Sequence, residues 1–275
     1  LVGTYTVGAG DNSNDLTVSS FSIGTVTDIA GNAMASTTVP GTNIASGSAI
    51  VIDTTVPTIT SFTSTTSNGS YKSAGEVNIT ATASEFVVAT NTITATLDTS
   101  DNVTLTAADN GTTLVGTYTV GAGDNSNDLT VSSFSIGTVT DIAGNAMSGT
   151  TVPDTNIASG SAIVIDTTAP TLSSVSIASN NSTTTLAKAS NVVTLTFTAS
   201  ETIATPVVTF QSGSAAITNT SITYVNTSGN IWTAAYTAHA SDTDGSVTYS
   251  IAFSDSAGNA GTAVTGGSGS VTFDK

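Results

Sequence analysis

The sequence predicts an all-β fold made of tandem sandwich domains. Three observations carry this. Apolar residues recur in short alternating runs, such as Val77, Ile79, Ala81 and Ala83 set against Asn78, Thr80 and Thr82, the period of a half-buried strand. Turn signals such as Asn68-Gly69 and Asp109-Asn110-Gly111 punctuate those runs. Residues 1–53 recur as 114–166 with three differences: Ala35 against Ser148, Ser36 against Gly149, and Gly41 against Asp154. An offset from Leu1 to Leu114 is too long for a solenoid coil and fits one sandwich per repeat.

A third unit has diverged. Pro170-Thr-Leu answers Pro57-Thr-Ile, and Asp255-Ser-Ala-Gly-Asn259 answers Asp141-Ile-Ala-Gly-Asn145. The expected domains are therefore 1–53, the C-terminal half of a repeat, then 54–166, a full repeat, and 167–275, a diverged one.

In the second unit, Thr58–Thr63 is expected as the first strand. The Val77–Ala83 alternation gives the second, ended by Ser84-Glu85. Ile93, Ala95 and Leu97 mark a third, and Val103, Leu105 and Ala107 a fourth. Leu114–Val120 and Leu129–Ile136 follow. In the latter the apolar phase switches between Val131 and Phe134, which predicts a bulge near Ser132-Ser133. Ala162–Ile165 is the last. The third unit repeats the plan through Val193–Ala199, Trp232–Tyr236 and Val247–Phe253. Thr265–Gly269 is expected as a hairpin. Seven short strands without helical periodicity predict an immunoglobulin-like sandwich. By the same duplication, residues 1–53 should carry the last three strands of such a domain. Upstream residues or a neighbouring chain would have to complete it.

Charge narrows the function classes. Nineteen acids face Lys72, Lys188 and Lys275, with no arginine. So few cations cannot neutralise phosphates, which argues against nucleic acid and against membrane contact by this segment. The absence of cysteine removes disulfides and thiolate metal sites. The single His239 has no Ser and Asp arrangement around it, and no Gly-x-Ser-x-Gly elbow occurs, so no enzyme is expected. Threonine-rich runs such as Thr194-Leu-Thr196-Phe-Thr198 read as the solvated faces of strands.

The acids group by topology. In such a sandwich the loops after the second and sixth strands lie at the end where the chain comes in. The loop between the fifth and sixth lies where it leaves. Glu85 and the Asp141–Asn145 loop should then meet the linker at Asp53. The preceding unit's Gly10-Asp11-Asn12-Ser13-Asn14-Asp15 loop should reach the same linker from the other side. One joint gathers Asp11, Asp15, Asp53, Glu85, Asp141 and Asn145. The next gathers Asp124, Asp128, Asp166, Glu201, Asp255 and Asn259. Asp242, Asp244 and Asp274 would form an open half-site. Converging carboxylates need a counter-charge, and calcium suits them: it takes about 6–8 oxygens in irregular geometry. Each of these motifs is also ordinary turn chemistry, in which Asp and Asn bond their own backbones.

The segments Val164-Ile-Asp166-Thr-Thr-Ala-Pro170, Val193-Thr-Leu-Thr-Phe-Thr-Ala-Ser-Glu201, Trp232-Thr-Ala-Ala-Tyr236 and Phe253-Ser-Asp255-Ser-Ala-Gly-Asn259 resemble the bacterial and archaeal immunoglobulin-like (Big-type) repeats of giant surface proteins, adhesins and S-layer proteins among them. The resemblance implies a cell-surface, extracellular stalk of stacked domains, stiffened by calcium at the joints much as cadherins are. Its implied partners are the neighbouring repeats of the same chain and other copies of itself. A calcium-stiffened adhesin stalk or spacer is the first expectation. A self-assembling filament, sheath or S-layer subunit is the alternative.

Overall fold

The computed structural model describes residues 1–275. The chain is nearly all β and gathers into two compact units. One comprises Leu1–Ser64, Asn78–Thr117 and Val131–Ser159, the other Thr65–Val77, Tyr118–Thr130 and Gly160–Lys275. The units are bounded by contacts, and they cross the period set by the duplication.

The second repeat supplies β1 (Ile59–Thr63), β2 (Gly69–Tyr71), β3 (Glu76–Val87), β4 (Thr92–Leu97), β5 (Asn102–Thr106), β6 (Gly111–Thr119), β7 (Asn125–Ser126), β8 (Val131–Thr138) and β9 (Ile163–Asp166). One sheet has the order β1-β3-β6-β5-β4-β8, another β2-β9-β7. Strict alternation puts Ile79, Ala81 and Ala83 on the buried side of β3, and Ile93, Ala95 and Leu97 on that of β4. Phe62 and Phe134 meet edge to face, 5.6 Å between centroids. The bulge falls at Ser132: Thr96 pairs Ser133 while Leu97 pairs Val131. The extra residue's Oγ donates to the carbonyls of Thr96 and Leu97 at 3.0 and 3.1 Å. Contrary to expectation, β3 does not stop at Ser84-Glu85. Val87 is fully buried and bridges Asp141, and Val88 N–H donates to the Thr140 carbonyl at 3.0 Å, so the backbone keeps a partner beyond Glu85.

The third repeat is a two-sheet sandwich. Its strands are β10 (Leu172–Ser179), β11 (Leu186–Ala187), β12 (Val192–Ala199), β13 (Val207–Ser212), β14 (Ala215–Ala216), β15 (Thr223–Ser228), β16 (Ile231–Thr237), β17 (Gly245–Ala252) and β18 (Thr272–Phe273). One sheet runs β10-β12-β16-β15, the other β11-β18-β17-β13-β14. Taken as strands A to G, this is the A-B-E-D sheet against G-F-C of the immunoglobulin fold. Its core takes residues from both sheets, including Val193, Leu195, Phe197, Phe210, Tyr236 and Ile251. Each large apolar side chain buried there contributes about 1.5–3 kcal/mol.

Thr265–Gly269 is not a hairpin. Val264 pairs antiparallel with Ile251, and four residues later Ser268 bridges Ser176 in parallel, so the segment passes from one sheet to the other. Gly267 permits this, since a Cβ there would lie 2.4 Å from the Val175 carbonyl oxygen.

Residues 1–53 do not form the three expected strands. They hold a four-residue helix α1 (Ile44–Gly47) and isolated bridges such as Ser13–Ile52. Tyr5, Val7, Val18, Met34 and Ile50 are exposed, whereas their counterparts Tyr118, Val120, Val131, Met147 and Ile163 are buried. The counterpart strands β6, β8 and β9 are hydrogen-bonded to neighbours drawn from residues 59–106. An isolated strand has no ladder to satisfy its backbone.

Candidate metal centre

The Asp141–Asn145 loop is closed by its own side chains. Asn145 N–H donates to Asp141 Oδ1 at 2.8 Å and Asn145 Nδ2 to Asp141 Oδ2 at 2.7 Å. Gly144, at φ 96°, makes the left-handed turn and donates its N–H to the Asp141 carbonyl. Asn145 Nδ2 also donates to the carbonyl of linker residue Asp53, at 3.0 Å. The bridge between Val87 and Asp141 then sets Asp141 beside Glu85, two residues back along β3. The linker carboxylate is held by Thr55, whose N–H donates to Asp53 Oδ1 at 2.9 Å.

The third repeat reproduces each part. Asn259 N–H and Nδ2 donate to Asp255 at 2.8 and 2.7 Å, and Nδ2 donates to the Asp166 carbonyl at 2.8 Å. Ile203 bridges Asp255 as Val87 bridges Asp141, and Glu201 again stands two residues back. Thr168 N–H holds Asp166 Oδ1 at 3.0 Å.

Two three-carboxylate groups result: Asp53, Glu85 and Asp141, and separately Asp166, Glu201 and Asp255. In each, one ligand oxygen per residue lies within 4.8 Å of the others. Asp141 and Asp255 are buried, and the other four are half-buried. An ionised pair at such a distance repels by about 3 kcal/mol at an effective dielectric of 20. Burial first, then the charges of Asp53 and Asp141 and a hydrogen bond with Asp53, hold the Glu85 pKa above the ordinary glutamate value. Burial, then Asp166 and Asp255, raise Glu201 likewise. Without a cation, the crowding in each group therefore disfavours the ionised glutamate relative to an isolated one.

Four expected residues stand apart from these groups. Asp11 takes hydrogen bonds from Tyr5 Oη and from Gly8 N–H at 2.7 Å, in the same order of strength that holds its pKa below the usual carboxylate range. Asp124 likewise accepts hydrogen bonds from Tyr118 Oη and Gly121 N–H, each at 2.6 Å. Their carboxylates fasten their own turns. Asp15 and Asp128 are exposed. The loop still reaches the linker, through asparagine: Thr54 N–H donates to Asn12 Oδ1 at 3.0 Å, and Thr167 N–H to Asn125 Oδ1 at 3.1 Å. Asn12 and Asn14 line a cleft with Asp53, Thr55, Ser84 and Glu85. The sequence did carry a signal for this exchange, the spacing Tyr-x-x-Gly-x-x-Asp that ends on Asp11 and on Asp124. The half-site does not assemble either. Asp242 is buried and accepts from Thr218 N–H at 2.7 Å and His239 N–H at 2.9 Å, while Asp244 Oδ1 accepts from Lys275 N–H.

No protein-family model and no curated protein matches the chain. Among solved structures, a chimeric titin Z1Z2 functionalized with a KLER exogenous peptide from decorin is similar at 14% identity. The match covers 82% of this chain and 100% of that one, with a TM-score of 0.30. It is the strand order of the third repeat that makes it an immunoglobulin-like sandwich.

Proposed function

We propose that this chain is a structural segment of an extracellular, cell-surface protein, a stalk or spacer whose immunoglobulin-like repeats are stiffened by calcium at their joints. The observation that carries the proposal is the pair of equivalent carboxylate groups, each built from a linker aspartate, a glutamate within two residues of a strand end and a loop aspartate. Calcium fits this donor set because it accepts mono- and bidentate carboxylates together with amide and backbone oxygens. Asp53, Glu85 and Asp141 would hold one ion and Asp166, Glu201 and Asp255 another, with Asn12 and Asn14 at hand for the first. The ion would supply the counter-charge that the three carboxylates lack and bind the linker to two loops of the repeat that follows it. Asn145 and Asn259 support the sites by tying loop to linker.

Small-angle scattering with calcium and with a chelator tests this. The expected result is an extended particle with calcium and a shorter mean span after chelation. Asp166→Ala with Glu201→Ala should reproduce part of the chelator's effect, and should halve the bound calcium in a titration. Identical scattering in both conditions, together with no calcium uptake, removes the stiffening role.

A further inference from the structure

Lys72, just after β2, is exposed, and its Nζ donates to the carbonyl of Gly258 at 3.0 Å, across 186 residues of sequence. Gly258 is the left-handed residue (φ 88°) that closes the Asp255–Asn259 loop. The turn presenting Lys72 is well fixed. Gly75 N–H donates to the Lys72 carbonyl, Ala74 N–H to Val120 and Val120 N–H to Gly75, all at 2.8 or 2.9 Å.

The same turn presents Lys188. Asn191 N–H donates to the Lys188 carbonyl, Ser190 N–H to Ala238 and Ala238 N–H to Asn191, at 2.8 to 3.0 Å. Ala74 and Ser190 share a positive φ, 68° and 71°. The strand before each lysine pairs in parallel with the last strand of its repeat, Tyr71 with Ile165 and Ala187 with Phe273. Asp166 and Asp274 come directly after Ile165 and Phe273, at equal places. Two of only three lysines in the chain thus occupy one structural position.

We infer that Lys72 is a tie between successive repeats that needs no cation and recognises the backbone of an Asp-x-Ala-Gly-Asn loop. Lys188 offers the same contact to such a loop on another immunoglobulin-like repeat. Recognition through a glycine carbonyl is indifferent to the variable residue of the loop, which is Ile142 in one copy and Ser256 in another. The ammonium is engaged by the loop backbone, so this tie stands beside the calcium reading and does not rest on it.

Hydrogen exchange on the full chain, with calcium and with chelator, tests the inference. Lys72→Met keeps the aliphatic stem and removes the charge; Lys72→Arg restores it. Exchange at Gly258 and Asn259 should be about three- to tenfold faster in Lys72→Met in both conditions. It should match the parent in Lys72→Arg and in Lys188→Met, and Gly144 and Asn145 should not change in any variant. Parent-like exchange in Lys72→Met overturns the tie. If chelation leaves the parent loop unchanged while Lys72→Met still accelerates it, the calcium reading fails and the tie stands. The chain extended after Asp274 by a second copy of residues 167–275 tests Lys188. There Lys188→Met must accelerate exchange in the added copy's loop, and no acceleration overturns the extension to Lys188.

Discussion

Tyr118 and Tyr236 hold the same place six residues before an aspartate, and they meet different fates. Tyr118 Oη donates to Asp124, whereas Tyr236 Oη is buried with no partner and Asp242 accepts from two backbone N–H groups. Burial, then the charge of Asp242, pushes the Tyr236 pKa up to about 12. Tyr118→Phe should therefore lose about 1–2 kcal/mol of unfolding free energy, while Tyr236→Phe should be neutral or gain up to about 1 kcal/mol, as read from denaturant midpoints. The Asp11 and Asp124 carboxylates were hard to place from sequence for the same reason: a hydroxyl six residues away competes for them, and Asp11-Asn12-Ser13-Asn14-Asp15 alone does not show it. Glu85, Glu201 and the two loop aspartates were legible, because strand connectivity alone carries them to the linker. The glutamates also set a pH response. Their folded pKa values lie above the ordinary value of 4.5, so the folded state holds protons that the unfolded state has released. In chelator, stability should fall as pH rises from that value through the folded pKa values. With calcium the trend should weaken or reverse, since the ion needs the ionised form. Thermal melts across pH 4–7 in both conditions are the check, and parallel profiles would count against cation binding by these glutamates.

Among the elements, the alternating strands β3, β4, β12 and β16 were legible, and so was the Ser132 bulge, because a phase switch in apolar residues leaves few other solutions. The run to Val87 was not, since its backbone partner, Thr140, lies far along the chain. Nor was the passage of Thr265–Gly269 between sheets. A glycine-rich stretch reads equally as a turn or as a close approach, and only the neighbour distinguishes them. That distinction is measurable. Gly267→Ala places a Cβ against the Val175 carbonyl and should cost about 1–3 kcal/mol. Gly266→Ala, with nothing within 4 Å of its Cβ, should stay within about 0.5 kcal/mol of the parent. Equal melting temperatures for the two variants would refute the close-approach account.

For the whole molecule, the duplication is the informative signal, and it also marks the reach of sequence reading. Residues 1–53 and 114–166 are nearly the same sequence, yet only the second copy contributes β6 to β9. Alternation states which face a strand would bury, and a ladder partner decides whether the strand exists. The third repeat shows the complementary case. Its sequence has diverged, yet the linker aspartate, the glutamate, the loop and the lysine-bearing turn all keep their places. What persists is the set of contacts at the ends of a repeat, while the strands between them are free to change.

The parallel pairing of β2 with β9, and of β11 with β18, has one more consequence. In each repeat one of these strands comes early in the sequence and the other is the last. Tension along the chain therefore drags two hydrogen-bonded neighbours past each other lengthwise. Their bonds are loaded in shear and share the force, where a hairpin pulled open at its end would surrender them one at a time.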